Sequence, residues 1–188
     1  AKEAGRNSVH HWFHTDQAMH ARHGEMQWAT RLEQALDEDR FVLYAQRIEA
    51  LSEGSTGLHA EVLIRLLNSD GSLIQPGAFL PAAERFHMAT RIDRWVLKRA
   101  VQQIQAMPDV TVLDTLCINL SGQSVGDRAF HQHAISALTE AGNAVCRRIC
   151  LKITETAALT NMADTALFIA QARPTRALVA LHYFGAAT

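Results

Sequence analysis

The chain is poor in cysteine, in surplus charge and in long apolar runs, and each shortage closes off a class of protein. Three cysteines, Cys117, Cys146 and Cys150, cannot build a disulfide framework. Cys146 and Cys150 lie four apart with no second pair, which argues against a zinc ribbon. Cys117 and Cys150 sit inside apolar runs and read as buried thiols of a reducing compartment. No stretch approaches the roughly 18 consecutive apolar residues of a membrane span. The opening AKEAGRNSVHHWF also lacks an apolar core of signal-peptide length. A soluble, cytoplasmic chain is expected. The 18 Lys and Arg balance 19 Asp and Glu to a net charge of −1, without a basic stripe. Nucleic-acid binding through bulk electrostatics is therefore not expected, whereas a small anion held in one local pocket fits. No repeat period or low-complexity tract occurs.

What is present is a core. Of 188 residues, 48% are hydrophobic, enough to exclude a mostly disordered chain and to fit one ordinary domain or most of a larger one. Phe13, Met19, Met26, Ala29, Leu32 and Leu36 recur at helical spacing from about 12 to 40, with a break near Gly24. FVLYAQRI (41–48) and HAEVLIRLL (59–67) read as strands on either side of a loop holding Gly54 and Gly57. After the turn Asn68-Ser69-Asp70-Gly71, helical patterns cover 78–88 and 89–107, the second ending at Pro108. Strands are expected at 110–122, 149–154 and 176–184, and helices at 127–141 and 160–172. From Phe41 the order is β, β, then helices alternating with apolar strands, which predicts an α/β fold of βαβ units around a parallel sheet.

Alternation on the strand at 59–67 puts Glu61, Leu63 and Arg65 on one face. Two readings stand: an internal Glu–Arg pair, or a phosphate-binding arginine beside a metal-binding carboxylate. Five of the ten histidines, His10, His11, His14, His20 and His23, crowd near the start; no cysteines adjoin them, and a solvated linker is expected over a metal site. Trp12, Met26 and Trp28 read as packing residues of a helix seam.

Glu61-Val62-Leu63-Ile64-Arg65 resembles the signature of the EAL domain, the bacterial phosphodiesterase family acting on cyclic di-GMP. Other segments resemble that family in the same order. Phe41-Val42-Leu43-Tyr44-Ala45-Gln46 is similar to its first strand, with Arg47 where a proline usually follows. Phe79-Leu80-Pro81-Ala82-Ala83-Glu84 resembles F-I-P-x-A-E, and Ile92-Asp93-Arg94-Trp95-Val96-Leu97 resembles I-D-x-W-V-L. Asn119-Leu120-Ser121 resembles N-x-S at the expected 58-residue spacing from Glu61. Thr154-Glu155 closes a segment like E-x-T-E, and Phe184-Gly185 one like D-D-F-G. Ala1-Lys2-Glu3-Ala4-Gly5-Arg6-Asn7 resembles the closing A-K-x-x-G-R-N of GGDEF domains.

The resemblance implies a (β/α)8, TIM-like barrel of EAL type, preceded by a linker helix. Such barrels take about 250 residues. From Arg31 the chain supplies 158, reaching the fifth strand. The implied organisation is a GGDEF-like tail at 1–11, a linker helix at 12–36 and an incomplete EAL-like domain at 37–188, whose open edge would need cover.

The departures decide the expected function. By resemblance, active relatives hydrolyse cyclic di-GMP to pGpG with one or two Mg²⁺ or Mn²⁺ ions, held by the Glu of E-A-L, the Asn of N-x-S, the first Glu of E-x-T-E and both Asp of D-D-F-G. Here Glu61 and Asn119 remain, but Lys152, His182 and Tyr183 replace the other three. One carboxylate is left of four, and Lys152 would repel a dication, contact a ligand phosphate or pair with Glu61. Glu155 matches the glutamate that steadies a neighbouring loop. No catalytic residue and no metal ligand are therefore expected. The implied ligand-binding set is Gln46, Glu61, Leu63, Arg65, Pro81, Asp93 and Asn119. The leading reading is a degenerate EAL domain in cyclic di-GMP signalling, an inactive receptor or regulatory module needing no cofactor. An active phosphodiesterase using Mg²⁺ or Mn²⁺ is the alternative, and a ligand-free interaction scaffold the second. Expected partners are cyclic di-GMP, an upstream GGDEF-like domain, and a second copy docked through the linker helix or a signalling protein.

Overall fold

A computed structural model describes residues 27–49 and 57–182. The expectations for 1–26, including the GGDEF-like tail, the histidine group and most of the linker helix, lie outside the described residues, as do Tyr183, Phe184 and Gly185. Residues 27–37 form helix α1, whose Leu32 and Ala35 are buried.

Strand β1 (Phe41–Ile48) pairs antiparallel with β2 (Leu58–Leu67), placing Gln46 opposite Glu61. A two-residue strand, β3 (Leu73–Ile74), adds antiparallel to the far end of β2. Helices α2 (Pro76–Arg85) and α3 (Ala89–Gln105) then cross to β4 (Leu113–Leu120), which lies parallel to β2. Short α4 (Gly122–Val125), α5 (Arg128–Ala141) and α6 (Asn143–Cys146) lead to β5 (Ile149–Thr154). Helices α7 (Glu155–Thr160) and α8 (Met162–Ala172) lead to β6 (Leu178–His182), so the sheet runs β1-β2-β4-β5-β6 with the last three pairings parallel.

The parallel sheet expected from the sequence is present from β2 through β4 and β5 to β6, whereas β1 pairs antiparallel. Only residues 49–57 separate β1 from β2, and a parallel pairing needs a crossover of about a dozen residues or more, so the chain turns back. The strand expected from 110 begins at Leu113. Val110–Val112 is a 3-10 turn, because Asp109 accepts a hydrogen bond from the Thr111 amide at 2.8 Å and tightens the chain there. The helix expected at 160–172 is present as Met162–Ala172, and a short helix not expected from the sequence, Glu155–Thr160, precedes it, parted from it at Asn161, whose φ of −127° and ψ of 46° interrupt the turn.

The core lies between one face of this sheet and the helices. Ala60, Val62 and Leu66 of β2, Leu116, Ile118 and Leu120 of β4, and Ile149, Leu151 and Ile153 of β5 are buried on that face. Helix α3 meets it with a stripe of Ile92, Val96, Leu97, Ala100 and Ile104, the spacing its sequence predicts. Phe41 links the layers, its ring 5.7 Å from Phe79 and 5.6 Å from Trp95. Each fully buried Leu, Ile or Phe here contributes about 1.5–3 kcal/mol. The alternation that buries this face leaves the other lined by Gln46, Glu61, Leu63, Arg65, Cys117, Asn119, Cys150, Lys152, Thr154 and His182.

Candidate functional site

Glu61 is the centre of that second face. Its strand register fixes the geometry: Glu61 aligns with Cys117 on β4, and Asn119 aligns with Lys152 on β5, so three strands deliver three polar side chains to one point. Asn119 Nδ2 donates to Glu61 Oε1 at 2.7 Å, and Lys152 Nζ donates to Glu61 Oε2 at 3.2 Å. The Glu61 and Lys152 side chains are 25% and 13% exposed, too covered for water to screen them fully. Burial pushes the Glu61 carboxyl up, but the bonds from Asn119 and Lys152 and the charges of Lys152 and His182 outweigh it. The net effect is a pKa below the ordinary 4.5.

A hard dication needs oxygen ligands, chiefly carboxylates. Here both oxygens of Glu61 already accept from side-chain donors, one of them an ammonium. No group of three or more His, Cys, Asp or Glu side chains able to hold a metal occurs among the described residues. These residues do not fit a Mg²⁺ or Mn²⁺ site.

Arg65 lies on the same face, but the Glu–Arg pair entertained from the sequence does not form. Glu61 takes Lys152, while Arg65 Nη1 donates to the Ile64 carbonyl at 2.8 Å and its guanidinium stands 5.7 Å from the Tyr44 ring. Gln46 is exposed directly across from Glu61. Arg47 pairs at the surface with Glu49 at 2.7 Å.

Leu63, Asp93 and Asn119 line a cavity of about 310 Å³ together with Leu80, Glu84, Ser121 and Thr154. Pro81 is exposed on α2 and lies outside that lining, as do Gln46 and Arg65. Asp93 is buried on α3, and its Oδ2 accepts from the Ser121 amide at 2.8 Å and from Ser124 Oγ at 2.6 Å. Burial pushes this carboxyl above its ordinary 3.8; the serine bonds oppose the shift and Glu84 adds to it. Asp93 thus pins the segment that follows Asn119. Ser121 and Ser124 were not among the residues expected from the sequence. The usable signal was Ser121 itself, which follows β4 and caps α4 by accepting from the Ser124 amide.

A family model described as "EAL domain" matches residues 29–188. The chain belongs to the EAL domain family. "Cyclic di-GMP phosphodiesterase PdeB" of Shewanella oneidensis is 30% identical over 161 residues, 86% of this chain but only 19% of that protein. The EAL domain of FimX from Pseudomonas aeruginosa, solved bound to c-di-GMP, superposes with a TM-score of 0.71 at 26% identity, covering 82% of this chain and 61% of that one. Vibrio cholerae LapD, an S helix-GGDEF-EAL chain also solved with c-di-GMP, gives a TM-score of 0.75 at 24% identity over 87% of this chain and 38% of that one, a likeness of fold alone. The chain spans about a fifth of the length of PdeB. The mixed sheet is that of a partial TIM-type EAL domain, as the resemblance implied. No helix among the described residues is long and apolar enough to cross a membrane.

Proposed function

We propose that this EAL domain binds cyclic di-GMP and does not hydrolyse it, acting as a receptor or regulatory module in cyclic di-GMP signalling. One observation carries the reading: the Glu61 carboxylate is held on both oxygens by Asn119 and Lys152. Two-metal hydrolysis needs an anionic cage that fixes water on the metal, and this cluster supplies one carboxylate already neutralised by an ammonium. Nucleotide recognition asks for less. Arg65 offers a bidentate fork to a phosphate, and by resemblance Gln46 and Asp93 lie near the guanine or ribose edges. That FimX is solved with c-di-GMP supports the ligand class. Residues 1–11 as a GGDEF-like tail and 12–36 as a linker helix complete the proposal.

Calorimetric titration with cyclic di-GMP tests it. Saturable binding is expected, weakened about tenfold or more by Arg65→Ala, the scale of a lost charge-assisted hydrogen bond. No saturation at high micromolar ligand would remove the receptor reading. The relative named as a phosphodiesterase favours a second reading, hydrolysis with an unusual ligand set. It requires pGpG to form in Mg²⁺ or Mn²⁺ and to disappear in Glu61→Ala.

A further inference from the structure

Among the groups on the polar face of the sheet, Lys152 is the one whose placement is hardest to explain as packing. It sits mid-strand on β5, 13% exposed, in register with Asn119 and Ala180. Burying an ammonium there is costly unless the charge is used. Glu61 takes one of its three N–H donors. The ring of Cys117, Asn119, Thr154 and Ala180 around it on the same face carries no second acid.

A phosphodiester approaching this face would meet the Glu61 carboxylate and be repelled, so an anionic ligand requires a cation at this depth. Arg65 and His182 also stand on this face, but Lys152 is the cation in contact with Glu61, fixed in place by the acid it neutralises. We propose that Lys152 is the site's built-in counterion: anchored on Glu61, its ammonium donates to a phosphate oxygen of the bound dinucleotide, so that binding needs no divalent ion. This rests on the dinucleotide reading above and adds to it the residue that replaces a metal.

The test is calorimetry with cyclic di-GMP on the full chain, in excess EDTA and in millimolar Mg²⁺, for wild type, Lys152→Gln, Lys152→Arg and the double variant Glu61→Gln, Lys152→Gln. Wild type should bind equally in both buffers. Lys152→Gln should bind about tenfold more weakly, and Lys152→Arg, which keeps the charge, should recover most of that loss. The double variant leaves no unpaired acid at this point, so it keeps the fold if the single variant loses it, and, with Glu61's repulsion gone as well, it should bind better than Lys152→Gln but below wild type. Binding that disappears in EDTA, or Gln variants that bind like wild type, overturns the role of Lys152 while leaving the receptor reading intact. A wild type that binds in neither buffer overturns that reading, and Lys152's role with it.

Discussion

One half-buried carboxyl of this domain, Glu61, and one buried one, Asp93, are pushed in opposite directions, and each shift has a signed consequence. Glu61 sits below its ordinary 4.5 in the folded state, so its contribution to stability is present above that value and is lost as pH falls through the lower, folded one. Asp93 sits above its ordinary 3.8, so the folded state holds its proton more tightly, and stability falls as pH rises from 3.8 through the raised value. Asp93→Asn keeps a carbonyl for Ser121 and Ser124 and removes the buried charge. It should raise Tm at pH 7 and leave Tm unchanged at pH 3, measured by calorimetry across that range. A loss at pH 7 with none at pH 3 would mean that the ionised form is the one the fold needs. Cys150 offers a separate check. Burial and the neighbouring Cys117 push its thiol up to about 11. Native-state alkylation followed by mass spectrometry should find Cys150 nearly unmodified at pH 8, since the thiolate is the nucleophile. Labelling as fast as that of a free thiol would contradict the burial.

At the scale of elements, the sequence was most legible where periodicity and burial agree. The apolar stripe of α3 and the alternation of β2 are both there, and Glu61, Leu63 and Arg65 share a face as the period of two requires. It was least legible where local chemistry overrides propensity. Val110-Thr111-Val112 is β-branched and reads as strand, yet one aspartate side chain turns it into a 3-10 segment. The 58-residue spacing of Glu61 and Asn119 does become a contact, at 2.7 Å. By contrast, no spacing rule says that Asp93 faces inward to Ser121 and Ser124, because helix rotation against a loop is set by packing that pattern alone does not encode. Element stability follows the same division. Ile118, fully buried on β4, should cost about 2–5 kcal/mol as Ile118→Ala in urea unfolding, from transfer and cavity together. Ile169 on α8 is 38% exposed, and Ile169→Ala should cost clearly less. Asp127 caps α5 by accepting from the Ala129 amide at 2.8 Å, and Asp127→Ala should cost about 1 kcal/mol. Equal losses for the two isoleucines would place α8 deeper in the core than its exposure allows.

Across the whole molecule, the polar face joins strands that the chain reaches far apart in sequence, from Gln46 on β1 to His182 on β6. A ligand resting on Glu61, Asn119 and Lys152 therefore ties β2, β4 and β5 together and is felt by the global unfolding equilibrium rather than by one loop. Binding to the folded state alone stabilises it by about 2.7 kcal/mol at a hundredfold excess over Kd. Cyclic di-GMP should accordingly raise Tm by several degrees in a concentration-dependent way. Mn²⁺ and Mg²⁺ should leave Tm where EDTA leaves it, because the one acid at the centre is already neutralised by Lys152. A thermal scan with each additive alone and in combination separates these effects. A rise with Mn²⁺ alone would mean that the ammonium yields its place to a metal, and the receptor reading would have to give way to the hydrolytic one. A rise with the dinucleotide alone, unchanged by EDTA, is what a sheet held together by its own lysine predicts.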